Sequence, residues 1–97
     1  MGIIDKLNKD FESRVRLGIM SILMVNEWVD FTEMKTLLNI TDGNLASHAS
    51  ALEKSEYIVV KKEFVGKKPK TSYSVTERGR LAFKEHLSYL EKLMKSQ

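Results

Sequence analysis

Asn44, Ser47 and His48 carry short side chains that donate and accept hydrogen bonds, and a helix through them would present all three outward. With each residue set about 100° from the last, Leu45, Ala49 and Leu52 fall on one side. Gly43, Ser47, Ser50 and Lys54 point roughly opposite, with Asn44, His48 and Ala51 on one flank. Such a surface suits the reading of base edges. The major groove of B-DNA is about 12 Å wide, so a helix lying in it needs short side chains for close approach and polar ends for hydrogen bonds. Thr41, Gly43, Asn44, Ser47, His48, Ala51 and Lys54 are the candidate contacts. The plainer reading is a merely solvated surface, but such surfaces favour Lys, Glu and Gln for helix propensity.

A second constellation is electrostatic. Five of the ten residues from Lys61 to Lys70 are Lys, against one Glu. A projecting basic loop can track phosphates or enter a minor groove, with a contribution that falls steeply with salt as counterions are released. Lys62, Lys67, Lys68, Lys70 and Thr71 are the candidates for that role; the alternative is a lysine-rich tip that only blunts a sheet edge.

Other chemistries find little support. With no Cys and two His, a thiolate site is impossible and a His-based metal site has almost no donors, and no metal or other cofactor is expected. No nucleophile–base pair or carboxylate pair stands out. Gly66-Lys67 resembles a phosphate loop only superficially, because the first Gly of the spacing and the Ser or Thr after Lys are missing. An enzyme is not expected.

The elements that must position these residues follow from periodicity. Ile3, Ile4, Leu7 and Phe11 recur at helical spacing and lead, with or without a separate first turn, into an apolar run from Val15 to Val25; region 1–27 is helical. Trp28-Val29-Asp30-Phe31 alternates like a short strand, and Thr32 is placed to cap a short helix from Glu33 to Leu38. Asn39-Ile40 makes a tight connection to a helix capped by Thr41 and ending near Ser55, so 32–55 forms a helix-turn-helix. Region 57–75 is a two-stranded hairpin, with Gly66 and Pro69 both assigned to its turn. Thr76 caps a long final helix, 76–96. The fold class is α+β, mostly helical, in a single domain, 1–97: a winged helix-turn-helix with a hairpin wing and a long C-terminal helix.

That last helix carries two adjacent apolar seams, Phe83/Leu87/Leu90/Met94 and Ala82/His86/Tyr89/Leu93, over a length of about 27 Å. One seam can pack on the domain's own core. The other needs a partner, so a homodimer is expected through Ile3, Ile4, Leu7, Phe11, Phe83, His86, Leu87, Tyr89, Leu90, Leu93 and Met94.

The segments Thr41–His48, Leu52–Ile58, Phe64–Thr71 and Thr76–Arg80 together resemble the small single-domain winged-helix regulators related to the MarR and ArsR families. The resemblance implies a transcriptional regulator that binds double-stranded DNA, with Thr41, Asn44, Ser47 and His48 in the recognition helix and Lys67, Lys68 and Lys70 in the wing. Ala49 departs from the pattern, which more often has Leu there, and implies looser packing behind that helix. Without Cys, thiol-based metal sensing of the ArsR kind is excluded; the small-molecule effector, if any, is unknown. The alternative is a winged-helix protein-interaction or assembly module that lacks specific DNA binding. RNA is disfavoured, because its deep, narrow groove does not admit a helix.

Length and charge agree without deciding. Ninety-seven residues allow one core, stabilised only modestly in isolation, and a net charge of +3 is mildly basic. The longest apolar run, Leu17 to Val25, falls far short of the roughly 20 residues of a membrane span. No signal peptide is visible at the start, and a cytoplasmic protein is expected.

Overall fold

The structure, a computed structural model, describes residues 2–95; Met1, Ser96 and Gln97, which the expected domain and its final helix take in, lie outside the described residues. Two 3-10 turns, Ile3–Lys6 and Lys9–Phe11, precede helix α1 (Arg14–Met24), strand β1 (Val29–Asp30), helices α2 (Phe31–Leu38) and α3 (Asp42–Lys54), strands β2 (Ile58–Val65) and β3 (Lys68–Val75), and helix α4 (Glu77–Lys95). The strands form one antiparallel sheet in the order β1-β3-β2. This is the winged-helix architecture expected from the periodicity.

The local departures have identifiable causes. The leading segment is two separate turns because short polar side chains capture backbone N–H groups: Asn8 accepts from Asp10, and Ser13 accepts from Val15 and Arg16. Ser13 thereby caps α1. Helix α2 starts at Phe31, two residues early, because the Asp30 carboxylate and not Thr32 is its cap, accepting the Glu33 N–H at 2.7 Å. It ends at Asn39, which turns the chain with φ 52° and ψ 52°, a left-handed conformation that Asn tolerates better than most residues.

Pro69 is not in the hairpin turn. The turn is Gly66-Lys67 alone, with φ +67° at Gly66, and Val65 pairs with Lys68 across it. Pro69 lies in β3 opposite Phe64. Hydrogen-bonded and non-bonded pairs alternate outward from the closing pair, so Pro69 occupies a position where no N–H is required. Beyond Ser72 and Tyr73, where β1 pairs, β3 has no second neighbour to disturb.

The core gathers Ile19, Met20 and Leu23 of α1, Met34 of α2, Leu45 and Leu52 of α3, Ile58 of β2 and Phe83 of α4. Phe11 sits at its aromatic end, 5.2 Å from the rings of both Tyr57 and Phe83 and 5.4 Å from that of His86. Phe11, Phe83 and His86 are therefore interior residues and not part of any dimer face, a correction to the expected seam. The apolar stripe of α4 splits along its length: its first half closes this protomer's own core, and Leu87 and Met94 in its second half stay exposed.

Helix α4 docks through one close approach. Its cap, Thr76, accepts the Gly79 N–H at 2.9 Å and donates its own N–H to the Tyr57 carbonyl at 3.0 Å. A Cβ on Gly79 would stand 2.0 Å from that carbonyl oxygen. Gly79→Ala should therefore destabilise the fold by about 2–3 kcal/mol through forced separation of backbone from backbone. Gly43→Ala, whose Cβ meets nothing within 4 Å, should not destabilise; thermal unfolding of both variants checks the contrast.

Burial pushes His86 below its ordinary value, and the Glu12 carboxylate pulls weakly the other way. Its Nδ1 accepts the Asn8 N–H at 3.1 Å, an interaction that needs the neutral ring. Because the folded value lies below the unfolded one, this contribution to stability is complete above about pH 6.5 and is lost as pH falls below it, when the unfolded chain takes up a proton that the folded chain refuses. Denaturant titrations at pH 7.5 and 5.5 should show lower stability at the acid value, and His86→Gln should shrink that difference.

Candidate nucleic-acid interface

Helix α3 is fixed to the protein on one side only. Leu45, Ala49 and Leu52 are buried, and Thr41, Gly43, Asn44, Ser47, Ser50 and Lys54 are exposed. Thr41 caps the helix, its hydroxyl accepting the Asn44 N–H at 3.1 Å, and Lys35 of α2 pairs with Asp42 at 2.7 Å. The outward surface is as small and polar as the helical periodicity requires. Ala51 is half-buried on the flank.

His48 is placed differently from a free reader. It is half-buried, and its Nδ1 accepts from Arg16 Nε at 3.1 Å. The neutral ring then carries its proton on Nε2, which makes it a donor toward any acceptor it meets. Arg16 also reaches the Asp10 carboxylate at 3.7 Å, and Asp10 accepts from the Ser55 hydroxyl at 3.0 Å. These contacts tie the middle and the C-terminal end of α3 to the segment before and within α1. None was visible in sequence, because residues 10, 16, 48 and 55 share no local pattern.

Arg14 is a second residue that sequence reasoning missed. It is exposed at the start of α1 and lines a cleft with Leu38, Asn39, Ile40 and Asn44, beside the N-terminal end of α3. It adds a cation where the helix partial charge is already positive, a combination that favours an anion.

The hairpin divides the expected wing residues between its two sides. Lys62 and Thr71 are cross-strand partners on the side of Val60 and Tyr73; Lys68 and Lys70 lie on the other, and Lys67 is in the turn. The four lysines are exposed, and Thr71 is half-buried. Lys62, Thr71, Val60 and Tyr73 face Ala46, Ala49 and Ser50 of α3 across a cleft of about 260 Å³. The single methyl of Ala49 lines this space, in keeping with looser packing behind the helix. On the opposite side the Lys61 ammonium lies over the Trp28 ring, 4.3 Å from its centroid. Among the described residues no group of three His, Asp or Glu is gathered to hold a metal, and no helix is long and apolar enough to cross a membrane.

A short polar helix face flanked by a basic hairpin, on this topology, defines a winged helix-turn-helix protein. The chain belongs to the winged helix DNA-binding domain family, whose model matches residues 15–94. It is a DNA-binding fold and not an enzyme. The chain is 36% identical over 88 residues to an uncharacterized protein of Methanocaldococcus jannaschii, covering 91% of this chain and 96% of that one. Among solved structures it is similar to a transcriptional regulator homologue from Pyrococcus horikoshii OT3, with a TM-score of 0.79 and 28% identity, over 95% and 96% of the two chains. It also shares its fold with MarR, at a TM-score of 0.70 and 17% identity, over 97% of this chain and 71% of MarR. The MarR likeness expected from the sequence is thus present in the fold.

The Arg16–His48 contact can be checked directly. At pH 7.5, nitrogen-15 NMR should find the His48 proton on Nε2, and Arg16→Ala should return the ring to a mixture of tautomers without unfolding the chain.

Proposed function

We propose that this protein is a transcriptional regulator that binds specific sites in double-stranded DNA as a homodimer. Each protomer lays α3 in a major groove, where Asn44, Ser47 and the Nε2 of His48 read base edges. Thr41, Gly43, Ala51 and Lys54 frame that contact, with Arg14 on a flanking phosphate. Lys62, Lys67, Lys68, Lys70 and Thr71 of the wing hold the backbone. The observation that carries the reading is the one-sided packing of α3: every large side chain of its apolar set is buried, and the residues left outside through its first two turns are short. Under this reading the protein works in the cytoplasm, beside the DNA it binds.

Dimerisation is supported by the uncovered end of α4. Leu87 is 45% exposed and Met94 72%, and Ile4 of the first 3-10 turn, which packs beside α4, is 70% exposed. With the half-buried Ile3, Leu7, Tyr89, Leu90 and Leu93 they make an apolar surface suited to a second copy across a two-fold axis.

The test is DNA binding measured against salt, on a site selected from genomic fragments and on random duplex. Asn44→Ala or Ser47→Ala should cost about 1–3 kcal/mol on the selected site and little on random DNA. Lys68→Ala should weaken both and reduce the slope of log K against log salt by about 0.9. Leu87→Glu should shift the protein to monomer in sedimentation and weaken site binding. Salt-insensitive or absent binding to DNA would instead favour an assembly module.

A further inference from the structure

We propose that the wing makes an apolar contact as well as an ionic one: Phe64, backed by Pro69, packs on the deoxyribose edge of the minor groove. This rests on the DNA-binding reading above. Phe64 is 75% exposed near the tip of the hairpin, where a large aromatic ring contributes nothing to the protomer's own core. An isolated exposed apolar residue is ordinary. The position of this one is what carries meaning.

Three observations fix that position. The register pairs Phe64 with Pro69, so the ring lies beside a rigid apolar neighbour across the strand pair. Alternation places both on the same side of the hairpin as Lys62 and Thr71, which face α3 across the cleft. Phe64 therefore extends the helix-facing wall of the wing outward, toward whatever α3 is set against. Finally, exposed Lys62 shares its face two residues away and exposed Lys67 stands in the adjoining turn, with Lys68 and Lys70 exposed on the reverse side. Ammonium groups this close disfavour an apolar protein partner, whose surface would leave them desolvated and unpaired. It fits a polyanion in which charged phosphates alternate with apolar sugar faces. A lysine on the same strand face stands about 7 Å from the ring, so charge and apolar contact can be made side by side.

The chemistry also separates this contact from the ionic ones. A phosphate contact releases counterions and appears in the salt slope; an apolar contact does not. Phe64→Ala should therefore weaken binding to duplex DNA about five- to twentyfold at every salt concentration, leaving the slope at its parent value. Phe64→Leu should recover a good part of the loss. Neither variant should change the thermal midpoint, since the ring is outside the core, and neither should change binding to heparin, a polyanion without a groove. Unchanged DNA affinity in Phe64→Ala would overturn the proposal, as would a loss that comes entirely with a reduced slope. It would equally be overturned if the variant bound DNA normally but lost self-association, or lost binding to vesicles of phosphatidylserine and phosphatidylcholine. Failure of the parent protein to bind any duplex would remove the DNA reading and this contact together, whereas parent binding with an unaffected variant removes only this contact.

Discussion

Tyr57 is the joint on which the arrangement turns. It follows the end of α3 and immediately precedes β2, and every part of it is engaged. Its carbonyl accepts from Thr76 and leaves room against Gly79 only because that residue has no side chain. Its ring packs on Phe11, and its hydroxyl accepts from Asn8 Nδ2 at 2.9 Å. Helix α3, the base of the wing, the start of α4 and the leading turn thus meet at one residue. The backbone just before it is strained to make this possible, for Glu56 has φ 63°, and its carbonyl is held by the Thr76 hydroxyl at 2.7 Å. The angle between α3 and the wing is set here, away from the exposed face of α3 and the tip of the hairpin.

What was legible in the sequence was what periodicity encodes. Leu45, Ala49 and Leu52 declared the buried side of α3, and Thr41 its start, because both signals are confined to one helical element. The caps of α2 and the turn of the hairpin were misread for a common reason. Asp30 and Thr32 are both competent caps, and Gly66 and Pro69 are both turn residues; the choice depends on what the next element packs against. Asp30 lies in β1, paired with Ser72, and that pairing places its carboxylate over the first turn of α2. The polar tie from Asp10 through Arg16 to His48 left no trace at all, since it joins residues whose proximity exists only after folding.

The dimer seam shows a deeper ambiguity. An apolar stripe records that something covers it, not which chain the cover belongs to. Helix α4 is about 28 Å long, and the core beneath it ends where Phe11, Phe83 and His86 close together. Up to that point the stripe is internal, and past it the same spacing continues beside the first 3-10 turn, with Leu87 and Met94 exposed. Phe83 and Leu87 belong to one seam in sequence and to opposite environments in space.

Charge is partitioned as sharply as packing. Within α3, Lys54 stands against Asp42 and Glu53, so the helix brings no excess of positive charge to a groove. Five of the sixteen cations sit on the hairpin, and Glu53, Glu56 and Glu77 border a separate groove with Ile58, Val59 and Arg78. A modest total of +3 is therefore concentrated in the wing, whose five Lys and one Glu stand out against a remainder close to balance. Attraction that depends on charge alone holds a protein on any duplex and lets it slide, whereas discrimination requires contacts that the phosphates cannot supply. Under the proposed reading, a helix without excess positive charge adds little indiscriminate affinity, so that its gain on a given site would come from hydrogen bonds that a wrong base leaves unmade.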